Sequence, residues 1–285
     1  MMIGVLVPEL GNSFATSIIM NVENLLLEHG YGTMICTYCY DSELEYKKLK
    51  WYVDKHVDGI IFMPSASMQK SGLLKIKEII EEKLPVILFD GIIDSFKFDS
   101  ILVDNINASY TAMETFIRYR HRNIAIIIAN PDATSQWERI EGYKRALSDY
   151  GLPFNPDYLK YSGYGKREGY SSCREILRKS PEVTAILSTG YRLTLGVLQA
   201  IQESERVLGK DISLIGFDCG DIAKISSPPL TTLDQPTKQI ASKVVEVLLM
   251  RMSGDRKSPK ELLRLKTTFT HGESVCEVRE PTTPP

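Results

Sequence analysis

The sequence predicts an α/β protein built as two successive units, each a parallel sheet flanked by helices. Two observations carry this reading. Short apolar runs alternate with amphipathic segments along most of the chain, and the runs are apolar throughout, as strands buried on both faces must be. The alternation also restarts near residue 103, so 285 residues divide into two domains of roughly 130 residues each.

Each element has its own signal. Ile3-Gly4-Val5-Leu6-Val7 opens the chain as a buried strand. Segment 14–29 follows, with Phe14, Ile18, Val22, Leu25 and Leu26 at helical spacing and Gly30 as its stop. Thr33–Cys36 is a second strand and 42–55 a second helix, with Leu44, Leu49, Tyr52 and Val53 on one side. Gly59–Met63 is a third strand ended by Pro64, 73–82 a helix, and Pro85–Phe89 a fourth strand. Four such strands separated by helices specify a covered parallel sheet.

The second round begins with strand Ile101–Val103 and a helix over 105–119. It continues through strand Ile124–Ile128, helix 138–150, strand Tyr158–Tyr161, helix 167–179, strand Ala185–Ser188, helix Leu193–Glu203 and strand Ser213–Phe217. After Asp218 the rhythm breaks. An extended, proline-bounded stretch runs from Ser226 to Pro236, then a helix over 237–252 and a last extended piece, Leu262–Thr268. Residues 281–285 are rich in proline and threonine and read as a frayed tail.

Composition narrows the function. The net charge is −2 and no basic stripe stands out, whereas a chain gripping DNA by itself normally carries one. The cluster Arg118-Tyr119-Arg120-His121-Arg122 sits where a helix ends, a place that suits cations. Five scattered cysteines argue against a disulfide framework, and Cys36-x-x-Cys39 has no second half-site for a metal. The first residues lack the basic region and cleavage site of an export signal, and no stretch has the apolar length of a membrane span. The expectation is a cytoplasmic protein without metal or cofactor.

Several segments resemble the LacI/GalR family of transcription regulators. They are Ile3–Pro8, Val57–Ile61, Leu84–Asp90, Arg139–Tyr143, Gly216–Asp218 and Ser227–Thr232, the last followed by Gln235-Pro236. They occur in family order over nearly the whole chain, and the Pro-Pro-Leu-Thr-Thr stretch is the most specific of them. The resemblance implies a periplasmic-binding-protein-like fold of type I, two lobes joined by three crossings near Val103, Gln235 and Lys266. The N-terminal lobe would be 1–103 plus 236–265, and the C-terminal lobe 104–235 plus 266–280. It also implies a homodimer that senses a small sugar-like effector between its lobes. Operator DNA would be held by a helix-turn-helix, which is expected to be absent from these residues because they open on the first strand.

Ligands of open α/β sheets sit beyond the carboxyl ends of the strands. The family's effector contacts map onto Phe14, Asp90, Arg139, Tyr164 and Asp218, and Gln235 lies at a crossing. Phe14 and Tyr164 offer aromatic faces, Asp90 and Asp218 end strands, and Arg139 presents a fork of donors. Each has a plainer role as well. Phe14 fits a helix core, Asp90 and Asp218 fit loop caps, and Arg139 fits a helix surface.

Two departures from the family pattern stand out. Gly190-Tyr191 occupies the place of the usual Asn-Asp, so the common hexose contact is lost or rebuilt by Tyr191. Arg120-His121 replaces Gly-His, at a position where glycine suits a left-handed helix end.

Gly163-x-Gly165-x-x-x-Gly169 resembles a dinucleotide loop but lies deep in the second unit with no acidic partner at the expected distance. His29, His56, His121 and His271 are isolated, and no nucleophile is paired with a base, so catalysis is not expected. The alternative of another class is a solute-binding receptor of a transport system, which shares this fold. A helix-turn-helix upstream favours the regulator, and an export signal favours the receptor. We predict that residues 1–285 alone give no sequence-specific shift of operator DNA in gel electrophoresis. A salt-sensitive, sequence-specific shift would contradict this reading.

Overall fold

A computed structural model describes residues 1–71, 84–93, 96–255 and 258–278. The chain opens with β1 (Met2–Val7), α1 (Ser13–Glu28), β2 (Gly32–Thr37), α2 (Ser42–Asp54), β3 (Gly59–Phe62), α3 (Ala66–Ser71), β4 (Val86–Phe89) and β5 (Asp99–Val103). Then come α4 (Asn105–Arg118), β6 (Ile124–Ile128), α5 (Thr134–Asp149), β7 (Leu159–Tyr161), α6 (Lys166–Lys179), β8 (Ala185–Ser188), α7 (Tyr191–Gln202) and β9 (Ser213–Phe217). The last part holds α8 (Gly220–Ile225), β10 (Thr231–Asp234), α9 (Thr237–Met252), β11 (Leu262–Leu265) and β12 (Thr268–Thr270).

Two compact units result. The first comprises 1–104, 132–135 and 236–266, and the second comprises 105–131, 136–235 and the residues from Thr267. Their sheets follow the orders β11-β5-β4-β3-β1-β2 and β12-β10-β9-β8-β6-β7. The strand order is the same in both, with β4 answering to β9 and β5 to β10.

In the first unit, alternate residues of β1 face opposite layers, as the pleat requires. Ile3, Val5 and Val7 pack with Ile18, Val22 and Leu26 of α1 and with Ile240, Val244 and Leu248 of α9. Leu6, Ile60, Phe62 and Leu88 pack on the other side with Leu49 and Tyr52 of α2. The side chains of Asn12 and Asp41 accept hydrogen bonds from the first-turn amides of α1 and α2, each such cap being worth about 1 kcal/mol. Asp99, fully buried on β5, takes a two-pronged ion pair from Arg251 of α9 at 2.7 and 3.0 Å. Burial alone would raise the Asp99 pKa, but Arg251, the Glu261 amide and Lys260 outweigh it and hold the carboxyl below its usual range.

The second unit repeats the arrangement. Ile126, Leu187 and Phe217 pack with Phe116 of α4 and Tyr143 of α5, and Ile127, Ile186 and Leu214 pack with Ile176 of α6 and Val197 of α7. Burial pushes the thiols of Cys173 and Cys219 up to about 12, so neither is a ready nucleophile.

Several expectations need correction. Leu262–Thr268 is not one strand: β11 lies parallel on β5 in the first sheet and β12 antiparallel on β10 in the second, so the second sheet is not wholly parallel. Strand β2 is an edge strand and only half-buried, so it is not covered on both faces as its apolar run suggests. Helix α5 starts at Thr134, four residues before the expected 138, because its first turn is polar yet buried. Helices α3 and α8 are too short to show a period. The expected helix 73–82 and the tail 281–285 lie outside the described residues.

Helix α4 does end left-handed, with Arg120 at φ 65° and the His121 amide reaching back to the Phe116 carbonyl at 3.0 Å. Arginine therefore occupies the place glycine suits, at a cost of roughly 1 kcal/mol. The following His121 is 1% exposed. Its Nδ1 lies 2.8 Å from Thr184 Oγ1, and its Nε2 lies 2.9 Å from both the Cys276 carbonyl and Ser213 Oγ. A neutral ring with its proton on Nε2 donates to Cys276, accepts from Thr184, and so ties the last described segment to the sheet.

Burial first, and the charge of Arg122 in the same direction, lower the His121 pKa to about 4 against the partial opposition of the Cys276 bond. Between that value and about 6.5 the unfolded chain binds the extra proton. The contribution is therefore complete above the unfolded pKa and lost as pH falls. Urea unfolding of the second unit should lose about 2 kcal/mol between pH 7 and pH 5 relative to His121→Gln. Equal pH slopes for the two proteins would contradict the buried neutral ring.

Candidate functional site

The two sheets place one residue type at the same point. Asp90 follows β4 at φ 60° and Asp218 follows β9 at φ 56°. Each amide donates to the neighbouring strand, Asp90 to the Ile101 carbonyl at 3.2 Å and Asp218 to the Leu233 carbonyl at 2.9 Å. Aspartate tolerates this left-handed turn better than most residues, and the turn presents its carboxylate at the carboxyl end of the sheet.

In the first unit, Ser135 Oγ lies 3.4 Å from Asp90 Oδ2. The buried Gln69 Oε1 accepts from the amide and hydroxyl of Thr134 at 2.7 and 2.6 Å, fixing the short segment 132–135. Phe14 stands in the first turn of α1 but is only 6% exposed, its ring packed in the core, which leaves little face for a ligand.

The second unit holds a denser constellation. Arg139 is 3% exposed, not a surface helix residue. Its Nε donates to Asn105 Oδ1 at 2.9 Å, its Nη1 donates to the Thr189 carbonyl at 2.7 Å, and its guanidinium lies 4.0 Å from the centre of the Phe217 ring. Asn105 Nδ2 donates in turn to Glu138 at 3.1 Å. Gln136 Oε1 accepts from the Ala129 amide at 3.1 Å and from the Thr189 hydroxyl at 2.7 Å. The starts of α4 and α5 and the ends of β6, β8 and β9 are thus joined by one buried polar network.

Asp218, next to Phe217, accepts from the backbone and side-chain nitrogens of Gln235 at 3.1 and 2.6 Å. Burial raises its pKa, with Arg139 and the two Gln235 bonds pulling the other way. Gln235 is 8% exposed, and no donor reaches its buried Oε1 among the described residues. Gly190 caps α7 without a side-chain bond, and Tyr191 begins that helix half-buried. Tyr164 precedes α6, half-buried against the layer that holds Ile127, Ile186 and Leu214. The loop carrying Gly163 and Gly165 is no phosphate cradle: a Cβ at Gly165 would lie 2.1 Å from the Glu168 carboxylate, which folds back over it.

The second unit therefore gathers Arg139, Asp218, Gln235, Gly190, Tyr191 and Tyr164 at its strand ends, and the first unit places Asp90 and Phe14 at the corresponding ends of its own sheet. Asn105, Gln136, Glu138 and Thr189 went unread in the sequence. The signal for two of them, Gln136 and Glu138, was the run of polar residues that opens α5.

A family model described as a periplasmic binding protein-like domain matches residues 113–275. The ribose operon repressor of Haemophilus influenzae is 28% identical over 277 residues, 97% of this chain and 82% of that protein. The HTH-type transcriptional repressor PurR of Aliivibrio fischeri is 31% identical over 275 residues, 96% and 80% of the two chains. A solved LacI family transcriptional regulator from Enterococcus faecium, with bound ribose, has a TM-score of 0.86 at 26% identity and covers 98% of this chain and 100% of its own.

The network makes Arg139 structural as well as a candidate contact. Arg139→Ala leaves the Asn105 oxygen and the Thr189 carbonyl without their charged donor inside the unit. Urea unfolding without ligand should show a loss of about 3–5 kcal/mol. A loss under about 1 kcal/mol is what an exposed helix residue would give, and would contradict the buried network.

Proposed function

Because the chain belongs to the LacI/GalR family of transcription regulators and spans its periplasmic-binding-protein-like core, we propose that it is the effector-sensing part of a DNA-binding regulator whose effector is a small polar molecule, a sugar or sugar derivative. The observation that carries the reading is the fixed set of polar groups at the strand ends of the second unit. A sugar needs acceptors and donors at set positions, and Asp218, Gln235 and Arg139 are held there before any ligand arrives. A hydroxyl donor would also relieve the unsatisfied Gln235 oxygen. The Haemophilus relative is named for the ribose operon and the Enterococcus regulator holds ribose, which supports a sugar here.

Asp90 ends the corresponding strand of the first unit in the same left-handed turn. The ligand acts by preferring one arrangement of the protein over another, since it shifts an equilibrium only by its difference in affinity. Operator DNA is the macromolecular partner in this reading, and the HTH-type name of the Aliivibrio repressor supports it. A homodimer suits a two-fold operator, and large exposed apolar side chains in the first unit, Leu10, Met20, Leu27 and Ile35, suit a self-complementary contact. No described helix is long and apolar enough to cross a membrane, and the relatives are regulators rather than enzymes.

The test is a thermal-shift screen of ribose, other aldoses, sugar phosphates and nucleosides. A ligand at a hundred times its Kd should stabilise the protein by roughly 2.7 kcal/mol. Asp218→Asn keeps the shape of the carboxyl group, and the Gln235 amide can turn to suit it, so the variant should fold. It should bind the same compound about 10- to 100-fold more weakly. If no compound in the panel raises the melting temperature at millimolar concentration, the sugar reading fails.

A further inference from the structure

Gly190 has no reason internal to the chain to be glycine. Its φ is −178°, extended backbone that any residue adopts, and a Cβ built there meets nothing within 4 Å. It also stands at the N-cap of α7 without a side-chain bond, where asparagine, serine or aspartate would satisfy a first-turn amide. Neither backbone strain nor packing asks for glycine, and helix capping slightly disfavours it. What glycine provides is open space at the carboxyl end of β8.

That space has apolar neighbours. Tyr191 is the next residue, at the start of α7, and Tyr164 lies two residues before the start of α6. The first turns of the two helices pack closely, since a Cβ at Gly169 would lie 2.4 Å from the Leu193 carbonyl, so the two tyrosine-bearing turns are neighbours. Both tyrosines are half-buried. The polar groups next to that space are bonded within the unit: Arg139 to Asn105 and to the Thr189 carbonyl one residue before Gly190, and Asp218 to Gln235. The unit thus sets a hydrogen-bonding group of side chains directly beside an open position that borders two tyrosine-bearing turns.

We infer that the effector is a glycoside with a flat apolar substituent, the sugar held by the polar groups and the substituent lying over Gly190 beside Tyr164 and Tyr191. This inference rests on the sugar reading above. A bare pentose or hexose would leave the open part empty, whereas an aryl ring or a nucleobase would bury one face on tyrosine. Both substituents are planar rings joined to an anomeric carbon, and the test separates them.

Isothermal titration compares matched pairs on the 285-residue chain: methyl against p-nitrophenyl β-glycosides of glucose, galactose and ribose, and ribose against adenosine. In the pair whose sugar fits, the ring-bearing member should bind roughly tenfold tighter or more. An advantage confined to p-nitrophenyl marks an aryl glycoside, and one confined to adenosine marks a nucleoside. In Gly190→Leu, which fills the space, the ratio within that pair should fall to about threefold or less. Equal binding of both members in the unaltered protein would overturn the inference and leave the sugar reading standing. A ratio that survives in Gly190→Leu would overturn the placement over Gly190. If no member of any pair binds, the sugar reading falls and takes the inference with it.

Discussion

A guanidinium cannot be taken out of water without partners, and the buried Arg139 sets the terms for the whole second unit. Its charge requires oxygen acceptors within reach, and they come from Asn105 at the start of α4 and Thr189 at the end of β8. Its flat face rests on Phe217, the last residue of β9. One side chain therefore fixes a helix start and two strand ends relative to each other. Asp218 and Gly190 each follow one of those points directly. The candidate site inherits its geometry from an interaction made without any ligand.

The repeated topology explains why the two aspartates correspond. The sheets share one strand order, so the turn after β4 and the turn after β9 have the same neighbours and the same left-handed backbone. The first unit is held differently. Its buried pair, Asp99 with Arg251, ties α9 to β5 and closes the unit far along the sequence from where it began. Among the described residues each unit has one buried guanidinium, Arg251 in the first and Arg139 in the second, and that of the second stands among the strand-end groups that suit a ligand.

Much of the fold was legible because parallel strands covered on both faces are apolar at every position. Ile124–Ile128, Ala185–Ser188, Ser213–Phe217 and the helix 237–252 fall where the sequence put them. The failures have physical causes. Leu262–Thr268 reads as one extended piece, and only its partners divide it between two sheets. Gln136, Glu138 and Arg139 look like a solvated helix start, because buried polar residues are recognisable only once their acceptors are known. Phe14 satisfies both an aromatic platform and a helix core by type and spacing, and the structure assigns its ring to the core. At Gly190 the sequence showed a departure from the family pattern, while the open space beside it became visible only in three dimensions.

A double-mutant cycle on Arg139 and Asn105 is the most direct test of the network that positions the site. Arg139→Met, Asn105→Ala and the double variant are unfolded in urea without ligand. If the guanidinium and the amide form one coupled unit, the two losses fall short of additivity by about 1–3 kcal/mol. Losses that add to within about 0.5 kcal/mol would mean that the two side chains act independently, and that the strand ends owe their arrangement to something else.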